Sequence, residues 1–200
     1  MEHIYIAMVD TPGMLAYCIR RFLRQKYIHV VIGMDEGLGE AYSFGRRNPR
    51  IPFLAGFERE DKEKILRAFP TADYMVCELD CSAAQKEEIG RRLREDYRRR
   101  LHYHYAVIGL LTTALGIPFY QKNHYTCSSY IGQLLGENGI RVAPKHFSLV
   151  TPKDFYRYPH KRVVFEGSLS AFMGRTAGGE TVPGREGAHC GGRMAAAYGR

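Results

Sequence analysis

Of the five cysteines, Cys127 stands where the loop residues His124, Tyr125 and Thr126 give way to a helical run, Cys-Ser-Ser-Tyr-Ile-Gly-Gln-Leu-Leu. A thiol in a first helical turn meets the positive end of the helix dipole and amides that have no partner within the helix. Both favour thiolate. The same amides can hold the oxyanion that forms when a thiolate attacks a carbonyl. Such a nucleophile needs a base within hydrogen-bond reach. His29 is the candidate, because it interrupts an apolar strand pattern, Tyr27-Ile-His-Val-Val-Ile, where packing would not select a histidine. The imidazole in turn needs an acceptor to orient it. Glu40, on the next strand, is the candidate, although a tight turn over residues 35–39 does not set it directly opposite His29.

These side chains must be positioned by the elements around them. Residues 3–9 read as a strand and 14–25 as a helix with Leu15, Cys18, Ile19, Phe22 and Leu23 on one face. Residues 27–34 and 40–44 read as a hairpin about the 35–39 turn. A long surface loop is expected over 45–59, a short helix over 61–69 and a strand over 74–79. Ser82 has the residue type to cap a charged helix running to about residue 100. Residues 105–115 are apolar nearly all round and predict a buried helix, too short to span a bilayer. The Cys127 helix runs to Asn138, with Gly139 at its end. Thr151 and Pro152 open another helix, and 162–166 is a last strand. From Gly174 onward eight glycines fall within 27 residues. Such a stretch cannot bury enough apolar surface to offset its ordering entropy. The expected organisation is one domain over 1–173 and a disordered tail over 174–200, with His189 and Cys190 in the tail.

The order of these motifs resembles the circularly permuted papain-like enzymes of the NlpC superfamily, of the YaeF/YiiX amidase type. The matching elements are Lys26-Tyr-Ile-His-Val-Val-Ile, Glu40-Ala-Tyr-Ser-Phe-Gly, Tyr125-Thr-Cys-Ser-Ser-Tyr and Leu149-Val-Thr-Pro-Lys-Asp-Phe. The histidine strand comes first and the cysteine helix last, an order shared with lecithin:retinol acyltransferase-like proteins. The resemblance covers roughly residues 3–170. It implies an α+β, permuted papain-like fold, with a small, mostly antiparallel sheet packed against helices that include the nucleophile helix. It implies Cys127 as nucleophile, His29 as base and Glu40 as third polar group. It also implies an oxyanion or substrate role for an upstream tyrosine, Tyr105 or its competitor Tyr103, with Ser128 beside the thiol. The family often shows a Tyr-Asp pair there, and here Ala106 follows Tyr105. The implied activity is hydrolysis or acyl transfer on a small peptide, amide or lipid-acyl substrate. The alternative is a non-catalytic lipid- or peptide-binding module on the same fold.

Composition narrows the partners. An odd cysteine count at scattered spacing argues against a disulfide framework. The N-terminal residues lack a basic stretch followed by an apolar core, so a cytoplasmic protein is expected. Cys77 and Cys81 with His102 and His104 make a poor zinc pattern, and neither metal nor other cofactor is expected. The formal net charge of +8 gathers at Arg20, Arg21, Arg24 and Lys26 and again over residues 91–100. Without an accompanying recognition motif this does not call for nucleic acid. The basic, amphipathic 14–25 helix also suits peripheral contact with an anionic membrane.

Overall fold

The computed structural model describes residues 1–12, 17, 20–21, 24–46 and 55–178. The expected 14–25 helix, much of the 45–59 loop and the chain beyond 178 lie outside the described residues. Cys18, His189 and Cys190 lie outside them as well.

Among the described residues there are eight strands. They are β1 (Glu2–Asp10), β2 (His29–Gly33), β3 (Ala41–Arg46), β4 (Ala55–Arg59), β5 (Asp73–Cys81), β6 (His104–Tyr105), β7 (His124–Tyr125) and β8 (Arg162–Ser168). Six of them form one sheet in the order β4-β3-β2-β1-β5-β8, with every neighbour antiparallel. β6 and β7 form a separate parallel pair. The helices are α1 (Lys62–Ala68), α2 (Ala83–Arg98), α3 (Val107–Ala114), α4 (Cys127–Glu137), α5 (Pro152–Arg157) and α6 (Leu169–Gly178). The fold is thus α+β, with a mostly antiparallel sheet.

The period-2 pattern of the strands divides the core. On one face Ile4, Ile6, Met8, Val30, Ile32, Cys77 and Leu79 pack with Ile89 and Leu93 of α2 and Ile131, Leu134 and Leu135 of α4. On the other, Ala7, Val9, Val31, Tyr74 and Val76 pack with Leu169 and Phe172 of α6.

Three expectations need correction. Part of the expected loop is the edge strand β4, whose Gly56 breaks the alternation that would have revealed it. The helix of residues 107–114 is not buried. Val107, Ile108 and Leu111 are more than half exposed, because little of the sheet faces it. Finally, α6 carries regular structure through Gly178, past the expected end of the domain at 173. No helix among the described residues is long and apolar enough to cross a membrane.

Candidate active site

Cys127 is the first residue of α4. Its N-cap, Thr126, accepts a hydrogen bond from the Ser129 amide at 3.1 Å, and the Thr126 amide donates to Ser129 Oγ at 2.9 Å. This reciprocal capping box satisfies two orphan groups and fixes the direction in which the chain enters the helix. Ser128 Oγ donates to Val150 O at 2.7 Å, and Gly132 lets Val150 approach within contact distance. α4 is therefore pinned from behind, and its first turn is pressed onto the sheet.

The sheet is open where the thiol meets it. β2 and β3 pair at Gly33–Ala41 and Ile32–Tyr42, and the Met34 amide donates to Glu40 O at 2.9 Å. In this register the next hydrogen-bonded rung would join Val30 to Phe44. The Val30 amide instead faces the Cys127 sulfur, together with the amides of Ser128 and Cys127 itself. Burial pushes the thiol up to about 11, and those three amides act in the opposite direction. Only 5% of Cys127 is exposed. At neutral pH the group is a thiol, so reaction at sulfur requires a base to take its proton.

His29 is the residue next to Val30 on β2, and successive side chains of a strand leave it on opposite faces. Val9 is the register partner of His29, and its carbonyl accepts from the Ile28 amide at 3.1 Å. The His29 ring lies over Gly45. A side chain there would come within 3.9 Å of His29 Nε2 and 3.3 Å of Ser43 Oγ.

Glu40 is not brought to His29. Its rung with Met34 lies five residues up β2, roughly 16 Å along the strand from the imidazole. Its carboxylate is held at 3.1 Å by Arg94 and at 3.1 Å by the Tyr42 hydroxyl. An acidic group beside Ser43 is Glu60, which accepts from Ser43 Oγ at 2.9 Å. Sequence reasoning missed this pair. Ser43 alternates with Tyr42 and Phe44, a signal that it faces the opposite side of β3. Glu60 follows the strand that had been read as loop.

Glu60 has a measurable consequence. Burial raises its carboxyl to about 6 despite the hydroxyl it accepts from. The native state therefore keeps a proton that the unfolded chain releases near pH 4.5. Stability falls as pH rises through that window, by at most about 2 kcal/mol. Glu60→Gln should abolish this decline and leave the variant more stable than wild type at pH 7. Urea unfolding between pH 4 and 7 checks it, and parallel curves for the two proteins would refute it.

Of the oxyanion candidates, Tyr105 pairs with Tyr125 in the β6–β7 ladder, alongside the strand that leads into Cys127. The Tyr103 hydroxyl is committed elsewhere, donating to Asp96 at 2.6 Å. Ser128 is likewise occupied through its side chain, and only its amide faces the sulfur.

No protein-family profile matches the sequence, and no curated protein matches it. Among solved structures, the chain is similar to the crystal structure of the metalloprotein YiiX from Escherichia coli O157:H7, DUF1105. The TM-score is 0.57 and the identity 12%, over 84% of this chain and 98% of that one. The fold is YiiX-like.

Among the described residues, one cluster of His, Asp and Glu is close enough to share a cation: His3, Glu78 and Asp80. His3 Nδ1 lies 3.0 Å from Asp80 and 3.3 Å from Glu78. However, Arg162 already grips the Glu78 carboxylate through two nitrogens, at 2.6 and 3.2 Å. An ion would have to displace that charge-assisted fork. The cluster does not fit a resident metal, and it stands six residues along β1 from Val9, the partner of His29. The Cys77 thiol is fully buried in the sheet and is pushed up to about 12 by burial.

Proposed function

We propose that this chain is a cysteine-dependent acyl-transfer enzyme, an amidase, peptidase or acyltransferase on a permuted papain-like fold. The observation that carries the reading is the convergence of the Val30, Cys127 and Ser128 amides on a helix-terminal sulfur. His29 takes the thiol proton as sulfur attacks the substrate carbonyl carbon. The carbonyl π electrons move to oxygen, and amides of the first turn of α4 hold that charge. The intermediate collapses, the leaving group departs with the proton returned by His29, and an acyl-thioester remains on Cys127. Water or a second nucleophile, deprotonated by the same imidazole, then releases the acyl group. Glu40 has no part in this reading; the polar side chains on the side of the sheet where the ring lies include Ser43, which donates to Glu60.

The burial of Cys127 favours a second reading, a lipid- or peptide-binding module on the same fold without chemistry. One experiment separates them. Brief incubation with p-nitrophenyl acetate should add an acetyl group at Cys127, visible by intact mass and peptide mapping, and Cys127→Ala should lose that adduct. Acetylation of Cys77 or Cys81 to the same extent, or no acetylation at all, would leave only the binding module.

A further inference from the structure

β6 and β7 lie side by side, with the His104 and His124 rings 5.1 Å apart. Residues 106–123 therefore leave the molecule and return to it at one place. The excursion is anchored on its inner side. Thr113 Oγ1 donates to Ser148 O at 3.0 Å, the Phe119 amide donates to Ser148 Oγ at 3.2 Å, and the Tyr120 ring packs on Phe147 at 5.2 Å. Gly109 is buried. The outer side is apolar and bare. Val107, Ile108, Leu111, Leu115, Ile117 and Phe119 are all exposed, Leu115 to 72%. These make up half of the large hydrophobic side chains exposed among the described residues. Contiguous apolar surface of this kind marks a docking site.

The charge around the excursion indicates what docks. Between Asp96 and Glu137 the sequence contains no acidic residue. Arg98, Arg99, His102, His104 and Lys122 are exposed or half-exposed at the base of the excursion. An apolar tip inside a cationic collar matches the two layers of an anionic bilayer surface, acyl chains beneath phosphate headgroups. We propose that residues 107–120 are a membrane-docking element, inserting the outer face of α3 and the turn after it while the collar engages anionic headgroups. Insertion is interfacial, because α3 is far too short to span. β7 passes directly into Thr126 and Cys127, so docking brings the thiol site to the membrane surface whatever its chemistry.

Vesicle cosedimentation of the full chain tests this. Wild type should bind phosphatidylcholine vesicles containing phosphatidylglycerol and bind pure phosphatidylcholine vesicles more weakly, with added salt reducing the difference. The double variant Leu111→Ser, Leu115→Ser should lose at least tenfold in affinity while melting at the wild-type temperature, because both side chains are already exposed. Arg98→Ser and Arg99→Ser should each cost about fivefold on the anionic vesicles and little on the neutral ones. No vesicle binding, or binding indifferent to the leucine pair, would overturn the proposal. Concentration-dependent dimerisation without lipid that disappears in the leucine variant would also overturn it, because the patch would then be covered by a second copy.

Discussion

Replacing Asp96 with alanine is expected to lower the stability of the fold by about 3–5 kcal/mol, the cost of stranding partners around a removed buried charge. Asp96 is 5% exposed and accepts from three directions: the Tyr103 hydroxyl at 2.6 Å, the Tyr130 hydroxyl at 2.7 Å and Arg92 Nε at 3.0 Å. Both tyrosine rings belong to the aromatic cluster around Phe44 and Phe57 on which α4 sits. The carboxylate thus ties α2 to the chain before β6 and to α4 at once. Asp96→Asn keeps a carbonyl acceptor for one tyrosine and should cost roughly half as much. Tyr103→Phe alone should cost about 1–2 kcal/mol. In the Asp96→Ala background it should cost nothing, because the hydroxyl has already lost its acceptor. Urea unfolding of the four proteins gives this cycle. An Asp96→Ala cost below about 1 kcal/mol would mean that water replaces the carboxylate and that the network holds nothing together.

The elements that were legible in the sequence are those whose signal is local. Ser82 and Thr126 have the residue types and the spacing to Gln85 and Ser129 that reciprocal capping needs, so the starts of α2 and α4 follow from short-range chemistry. The strand of His29 showed itself by its apolar run. What failed depends on partners distant in sequence. Whether Glu40 meets His29 is a matter of register, and the turn held by Asp35, whose carboxylate accepts from the Gly39 and Glu40 amides, sets that register so that Glu40 faces Met34. Glu60 reaches Ser43 only because β4 lies against β3, a pairing between segments joined by a stretch without strand character. α3 is apolar on every side, and hydrophobicity alone cannot distinguish a helix that faces a core from one that faces something outside the chain.

The His29→Ala variant should acylate Cys127 between 10²- and 10⁴-fold more slowly than wild type at pH 7, the range for losing a positioned base. The shape of the pH profile is the more discriminating readout. With the thiol pushed up to about 11, only about one molecule in 10⁴ carries thiolate at pH 7. Without a base, the rate must follow that fraction. It should climb tenfold per pH unit and level off only near pH 11. With His29 taking the proton during attack, the wild-type rate should depend much less steeply on pH near neutrality, until unaided thiolate carries the reaction. The two curves should converge at high pH, where the thiolate forms unaided and the base has nothing left to remove. Melting temperatures of the two proteins would separate loss of the base from loss of the fold. His29→Gln, which keeps a polar side chain of similar reach but cannot accept the proton, should follow the alanine curve. Wild-type and His29→Ala profiles that both rise equally steeply from neutrality toward pH 11 would show that the imidazole takes no part at sulfur, and the thiol would then be a buried group at the start of α4.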